Sequence, residues 1–281
     1  MENKNSFNDK IKLSNKAIFH HKLMEKMYPK EIKNAVESSK VYTPSMCNII
    51  SETGLSDTLP ILGRLPIIQL VDTDTVSALY LIKDFYPGIG LLNFASFKHP
   101  GGMYLKGSSA QEESLCHESI LYEVLKRFDS SFYAYNRLDY AKGKIDNLYL
   151  NYGIYSPNII FNRNSNIAVS AVITVAAPNA RHVPTSRKIP KVENLSALKS
   201  RIKFVLDIAE TEHLQTLILG AYGCGVFKQN PEEVANIFKF YLMSGKYNFT
   251  NIIFAIPFGD NYKAFGKVLK DCLSGIIIDE S

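Results

Sequence analysis

A dense run of residues that could do chemistry lies between residues 93 and 116. A Pro-Gly-Gly loop ends in Gly101 and Gly102, and two adjacent carboxylates, Glu112 and Glu113, follow at the predicted start of a helix. Glycines let a backbone approach a ligand closely, and a carboxylate in a cleft can act as a general acid or base. This combination favours an active site over a packing motif.

The two glutamates have different expected roles. On a helix, Glu113 shares a face with Cys116 and Ile120 and can therefore point inward. An inward carboxyl group in a partly apolar pocket holds its proton more readily, as a general acid must. Adjacent helical residues point roughly 100° apart, so one catalytic acid/base beside a ribose-binding carboxylate fits better than the opposed pair of glycosidases. The alternative is a pair of helix-start residues stabilised by the helix N-terminus.

Other polar residues around this loop have less specific interpretations. Asn93 precedes the loop, where its amide could hold a ligand hydroxyl or form a turn. His99 and His117 have no third ligand at metal-binding spacing, so we expect hydrogen-bonded or exposed histidines and no metal. The four cysteines form no C-x-x-C pair and are expected to be reduced thiols. A nucleophile made from Cys116 and His117 is disfavoured because adjacent helical residues do not face each other.

A second glycine-rich loop, residues 220–227, reads Gly-Ala-Tyr-Gly-Cys-Gly-Val-Phe and leads into a predicted helix. Its backbone N–H groups could bind an anion such as a pyrophosphate, and Phe227 could pack on a ribose or base. The spacing matches neither the P-loop nor the G-x-G-x-x-G pattern. The alternatives are a tight turn that needs glycine for its geometry and a core phenylalanine.

The elements that position these loops alternate between strands and helices. Strands are predicted at residues 67–71, 90–95, 168–176, 216–219 and 251–256, with strand-like pieces at 148–150 and 158–161. Helices are predicted within residues 1–40, after residue 74, at 111–128, 195–210, from Pro231, and at 262–273. Short, apolar strands indicate an α/β fold whose mixed or largely parallel sheet is covered on both faces. Because ligands bind at the carboxyl ends of such strands, residues 93–111, 177–181 and 220–227 are expected to meet at one edge.

Composition limits the class of protein. The chain has 281 residues, 46% of them hydrophobic and 21% charged, with a formal net charge of +5. This modest charge suits an anionic ligand but not a dedicated nucleic-acid binder. The N-terminus is polar, and no stretch approaches the roughly 18 apolar residues of a membrane span. We therefore expect a cytoplasmic monomer that binds neither specific nucleic acid nor membrane.

Taken together, these residues resemble the microbial-type poly(ADP-ribose) glycohydrolases. The family signature is three glycines, a short spacer and Gln-Glu-Glu, and this chain has Gly101-Gly102-Met103, seven residues, then Gln111-Glu112-Glu113. The stretches 93–96, 114–116, 173–179 and 220–227 also resemble the family. The similarity extends from about residue 60 to residue 260.

The resemblance implies a macrodomain-like, three-layer α/β sandwich over residues 61–281, with a helical extension over residues 1–60 packed on it. It also implies ADP-ribose or poly(ADP-ribose) as the ligand, with no cofactor and no metal. Glu113 would be the catalytic acid/base, and Glu112 would position the reacting ribose. The residues expected to bind substrate are Asn93, Gly101, Gly102, Gln111, Gly223, Cys224, Gly225, Val226 and Phe227.

One position departs from the signature. Met103 stands where the family has its third glycine, and a side chain there could crowd the ligand or demand a different backbone angle. Because both glutamates are present, we expect a hydrolase that releases ADP-ribose from polymer or from modified protein. The alternatives are a non-enzymatic ADP-ribose-binding macrodomain and a nucleotide-binding protein of an unrelated class, such as a metal-dependent phosphate-ester hydrolase.

Overall fold

The computed structural model describes residues 2–43, 65–181 and 187–274, with side chains from residue 8 onward. The strands are β1 (Lys40–Tyr42), β2 (Ile67–Val71), β3 (Ile89–Phe94), β4 (Gly153–Arg163), β5 (Asn166–Val175), β6 (Thr216–Leu219) and β7 (Asn251–Ala255). The first five helices are α1 (Glu2–Met27), α2 (Pro29–Ser38), α3 (Thr75–Ile82), α4 (Gln111–His117) and α5 (Leu121–Lys126). They are followed by α6 (Ala134–Ala141), α7 (Lys191–Thr211), α8 (Pro231–Leu242) and α9 (Asp260–Leu269).

The described strands form one seven-stranded sheet in the order β1-β4-β5-β3-β6-β7-β2. β5, β3, β6, β7 and β2 pair in parallel, whereas β1, β4 and β5 pair antiparallel. The sheet is therefore mixed and largely parallel, as predicted. β1, which the sequence pattern did not predict, extends the antiparallel edge.

Helices cover both faces of the sheet. Successive residues of a strand point to opposite faces, so neighbouring residues of one strand pack against different helices. Leu92, Ile173 and Phe254 pack with apolar residues of α7, α8 and α9. Leu91 and Val172, one residue earlier on their strands, pack with residues of α1 to α5 on the other side. The result is the predicted three-layer α/β sandwich.

The predicted helix over residues 111–128 is wrong, because the chain leaves helical geometry between α4 and α5. Ser119 forms an isolated antiparallel bridge with Phe161 of β4. The Ile120 N–H donates to the Ile160 carbonyl at 3.0 Å. These bonds to the sheet replace bonds within a helix, so Glu113 and Ile120 do not share one helical face.

A second correction concerns residues 148–150, which form no strand. Tyr149 has φ 57°, a left-handed conformation that a strand does not contain. The Leu148 carbonyl accepts a hydrogen bond from the buried guanidinium of Arg201 at 3.1 Å. The segment therefore forms a turn beside the Arg201 side chain.

The N-terminal helices lie against the core in the described part of the chain. Pro29 occupies the first turn of α2, where its missing N–H costs no hydrogen bond. The predicted boundary at residue 60 lies outside the described residues, so the division into an extension and a core stays a prediction. None of the described helices is long and apolar enough to cross a membrane.

Candidate active site

The glycine loop after β3 lies directly against the two carboxylates of α4. Gly101 and Gly102 have φ values of +63° and +61°, which non-glycine residues rarely adopt. A Cβ built on Gly102 would lie 2.5 Å from Glu113 Oε1 and 2.9 Å from Glu112 Oε2. Both the backbone angle and the close approach therefore require glycine here. Although adjacent on the helix, the two glutamates reach the same glycine.

Glu113 is buried, and only one of its two carboxylate oxygens has a hydrogen-bond partner among the described residues. Its Oε1 accepts a hydrogen bond from the Met103 backbone N–H at 2.8 Å. Its Oε2 is buried and has no hydrogen-bond partner in the described part of the chain. A buried acceptor without a partner is costly. Glu113 therefore has one anchored oxygen and one oxygen left for another molecule.

Glu112 is held at both of its oxygens. Its Oε2 accepts from the Ser96 backbone N–H at 2.7 Å, and its Oε1 accepts from Asn93 Nδ2 at 3.2 Å. Burial raises the pKa of the Glu112 carboxyl to about 8, although these two hydrogen bonds lower it. The charge of nearby Glu113 raises it further. The Glu112 carboxyl group therefore tends to keep its proton at neutral pH.

Asn93 holds the Glu112 carboxylate through a hydrogen bond. It is fully buried, and its Nδ2 also lies 3.3 Å from Thr174 Oγ1. Its Oδ1 has no partner among the described residues. Asn93 therefore contacts Glu112 directly, and its amide nitrogen is already used within the protein.

Gln111 completes the hydrogen bonding at the end of β3. Its Oε1 accepts from the Phe94 N–H at 2.8 Å, and its Nε2 donates to the Leu92 carbonyl at 2.9 Å. Nε2 also donates to Thr75 Oγ1 at 3.2 Å. The Gln111 side chain thus makes the backbone hydrogen bonds to β3 that a neighbouring strand would make. These bonds fix the start of α4 beside β3.

The loop at residues 220–227 has the features of an anion cradle. Gly223 has φ +74°, and a Cβ there would lie 2.8 Å from the Ala177 side chain. The backbone N–H groups of Gly225, Val226 and Phe227 donate to no acceptor within residues 2–43, 65–181 and 187–274. Consecutive free N–H groups are what a phosphate group binds.

Aromatic rings and a cysteine thiol lie at this cradle. Phe227 makes an edge contact with Tyr149 at 5.9 Å between ring centroids, and Tyr149 stacks on Phe97 at 4.5 Å. Burial raises the pKa of the Cys224 thiol to about 12. Burial also raises the pKa of the Cys116 thiol. Neither cysteine suits a thiolate nucleophile.

The three predicted loops meet at one cleft of about 490 Å³. Of the predicted site residues, Gln111, Gly223, Gly225, Val226 and Phe227 line it. Asn93, Gly101, Gly102, Glu112, Glu113 and Cys224 do not. Six further lining residues do not belong to the predicted site: Asp74, Thr75, Val76, Ile256, Pro257 and Asn261. All six follow the carboxyl ends of β2 and β7, so strand order was the signal that could have identified them.

The two histidines near the site differ from each other. His99 is exposed, as predicted. For His117 the prediction is wrong, because both ring nitrogens are buried and have no partner among the described residues. Its ring packs edge-on against Tyr104 at 4.7 Å between centroids. No group of three described His, Cys, Asp or Glu residues could hold a metal ion.

Comparison with known proteins identifies the family. The family described as the catalytic domain of microbial-type PARG, or poly(ADP-ribose) glycohydrolase, matches residues 10–164, which is more than half of the chain. A comparison with curated protein sequences finds no match.

Solved structures agree with this match. The glycohydrolase of Thermomonospora curvata bound to the inhibitor ADP-HPD is 26% identical, with 91% of this chain and 98% of that one covered and a TM-score of 0.77. The glycohydrolase of Deinococcus radiodurans in complex with ADP-ribose is 28% identical, with 85% and 97% covered and a TM-score of 0.73. The chain therefore belongs to the microbial-type poly(ADP-ribose) glycohydrolase family and has its macrodomain-like fold.

Proposed function

We infer that this chain is an ADP-ribose glycohydrolase, in which Glu113 is the catalytic acid/base and Glu112 positions the reacting ribose. The substrate is ribose-linked ADP-ribose, either in poly(ADP-ribose) or on a modified protein, and the product is ADP-ribose. Family membership and the ADP-ribose and inhibitor complexes of the relatives support the substrate class.

The observation that carries the role of Glu113 is the difference between its two oxygens. Oε1 is fixed by the Met103 N–H, whereas Oε2 is buried without a partner. A leaving oxygen or a water molecule could form a hydrogen bond with Oε2 and exchange a proton there. Both oxygens of Glu112 are already hydrogen-bonded, which suits a group that orients and does not transfer protons.

The reaction then follows the chemistry of glycoside hydrolysis. The Glu113 carboxyl group gives its proton to the leaving oxygen as the bond from that oxygen to the anomeric carbon breaks. The resulting carboxylate takes a proton from the attacking water, whose oxygen forms the new bond to the anomeric carbon. The water thus supplies one proton to Glu113 and one hydroxyl to the ADP-ribose product, and Glu113 ends in its starting form.

Residues 223–227 of the anion cradle would fix the substrate during this step. Free N–H groups of Gly225, Val226 and Phe227 would bind the diphosphate, with Phe227 packing on the ligand. Binding of the diphosphate here and of the ribose at Glu112 would keep the anomeric carbon close to Glu113. Such positioning raises the rate of the reaction. The chain's net charge of +5 favours the approach of this anion.

The test is turnover of poly(ADP-ribose) and of mono-ADP-ribosylated protein, with products resolved by mass. Glu113→Gln should abolish release of ADP-ribose while calorimetry still detects binding of free ADP-ribose. Glu118→Gln is the matched control, because Glu118 is the C-cap of the same helix but pairs with Arg163. Undiminished turnover by Glu113→Gln would overturn the assignment.

Two further outcomes would favour the alternatives. Wild-type protein that binds ADP-ribose but releases none from either substrate would be a binding macrodomain. Activity that disappears in a chelator would favour a metal-dependent hydrolase.

The proposal also covers the location of the protein in the cell and its oligomeric state. We propose that the protein is cytoplasmic, in keeping with the three free cysteines in the described part of the chain. We also propose that it is a monomer. Cell fractionation and light scattering of the purified protein would test this.

A further inference from the structure

Helix α1 lies directly on the glycine loop that contacts Glu113. Gly107, at the end of that loop, has φ +76°, and a Cβ there would lie 2.1 Å from the Lys10 carbonyl oxygen of α1. Ser14 Oγ donates to the Leu105 carbonyl at 2.7 Å. The backbone of the loop and the backbone of the helix are therefore in contact with no side chain between them.

Tyr104 is the main side chain that joins the two. It is 1% exposed, and its hydroxyl lies 2.8 Å from His20 Nδ1 and donates to the Ala17 carbonyl at 3.2 Å. Burial lowers the pKa of His20 to about 4, so the ring is neutral at pH 7. A neutral ring can donate its Nδ1 proton to the tyrosine oxygen while the hydroxyl proton goes to Ala17. Both polar groups are then satisfied within the contact between α1 and the loop.

The position of Tyr104 is linked to the Glu113 carboxylate through the backbone of the loop. Tyr104 follows Met103, whose N–H donates to Glu113 Oε1 at 2.8 Å. The Tyr104 N–H donates to the Gly101 carbonyl at 3.1 Å, which closes the loop on itself. A movement of the Tyr104 ring would therefore move the donor that holds Glu113.

We propose that Tyr104, anchored to α1 through His20 and Ala17, is a positioning residue for Glu113, and that α1 is a working part of the catalytic site. This inference rests on the proposed role of Glu113. The catalytic-domain match begins at residue 10, inside α1, which supports including this helix in the active unit. Fixing a reacting group in its productive geometry is worth large factors in rate.

The first experiment removes the hydroxyl alone. Tyr104→Phe in the full chain should lower kcat on poly(ADP-ribose) by roughly tenfold to a hundredfold, while KM and the calorimetric affinity for ADP-ribose stay unchanged. Tyr247→Phe is the control, because Tyr247 is also buried and its hydroxyl donates to Asp207 at 2.9 Å, away from the cleft. The control should lose stability but not kcat.

The second experiment tests the anchor by substitution and partial restoration. His20→Leu should lower kcat as Tyr104→Phe does, whereas His20→Asn, which keeps a polar atom near the position of Nδ1, should restore part of it. Ser14→Ala removes the hydrogen bond from Ser14 to the Leu105 carbonyl. It is the milder variant to use if Tyr104→Phe or His20→Leu does not fold.

A readout without turnover separates this inference from the assignment of Glu113. Hydrogen exchange of residues 101–107, followed by mass spectrometry, should become faster in Tyr104→Phe and stay at the wild-type rate in Tyr247→Phe. Unchanged exchange and unchanged kcat in Tyr104→Phe would overturn the inference, and so would an equal loss of kcat and ADP-ribose affinity. If Glu113→Gln keeps full activity while exchange still responds, the function assigned to Glu113 fails and the anchoring of the loop stands.

Discussion

The α-carbon of Gly102 lies so close to Glu113 that one added carbon atom would touch the carboxylate. A Cβ at Gly102 would be 2.5 Å from Glu113 Oε1, well inside van der Waals contact. The left-handed φ of +61° adds a second reason for glycine at this position. The glycine loop therefore fixes the carboxylate by shape as well as through the Met103 hydrogen bond.

Gly102→Ala should consequently damage activity more than stability. The added methyl group must displace Glu113, and we expect kcat to fall by about a hundredfold, as a misplaced reacting group allows. Gly143→Ala is the matched control, because Gly143 has φ +68° but no atom within 4 Å of its Cβ position. Both variants should lose about 1–2 kcal/mol of stability from the left-handed backbone. Equal kcat in the two variants, measured on poly(ADP-ribose), would contradict this.

Met103 should be compatible with full activity, although it replaces the third glycine of the family signature. Its φ of −109° is ordinary for any residue, and its side chain is 43% exposed. We expect Met103→Gly and Met103→Ala to change kcat by less than about tenfold, which corresponds to about 1.4 kcal/mol of barrier. A larger gain in both variants would mean that the side chain crowds the ligand. A gain in the glycine variant alone would point to the backbone.

Phe227→Ala should weaken substrate binding and leave the chemical step nearly intact. The ring lies at the cleft beside the free N–H groups, and its loss removes a surface for the ligand. We expect the dissociation constant for ADP-ribose, measured by calorimetry, to rise by roughly tenfold. Phe240→Ala is the control, since Phe240 is 48% exposed on α8 and does not line the cleft. Equal affinities in the two variants would remove Phe227 from the binding site.

The sequence could predict the sheet and the location of the cleft, because both depend on local patterns. Apolar runs such as residues 251–256 identify buried strands, and parallel strands bring the loops that follow them to one edge. The break after His117 could not be predicted this way. Cys116, Ile120 and Val124 recur every four residues across it. The break depends on a hydrogen bond from Ile120 to Ile160, which is distant in sequence.

The difference between the two glutamates also depends on contacts distant in sequence. Their order on the chain predicts one inward carboxylate, whereas both are buried and both reach Gly102. Only the hydrogen bonds from Asn93, Ser96 and Met103 separate an anchored carboxylate from a half-free one. The contact of Tyr104 with His20 joins residues 84 positions apart, which no local pattern indicates.

Glu123 should make the stability of the protein depend on pH. The residue is 1% exposed, its Oε1 lies 2.8 Å from His21 Nδ1, and its Oε2 has no partner among the described residues. Burial raises the pKa of Glu123 to about 8 from an ordinary value of 4.5. Between these two pH values the folded protein keeps a proton that the unfolded chain releases. The stability linked to this group is therefore complete below pH 4.5 and lost as pH rises through about 8.

Glu123→Gln removes that titration, so the free energy of unfolding should fall less steeply between pH 5 and 8 than in the wild type. At about 1.4 kcal/mol per pKa unit, the variant should gain a few kcal/mol over the wild type by pH 9. Glu118→Gln is the control, since Glu118 is partly exposed and paired with Arg163. Urea unfolding at a series of pH values measures the effect. Equal slopes for Glu123→Gln and the wild type would mean that the carboxylate is ionised in the folded protein, with His21 or Lys126 compensating its charge.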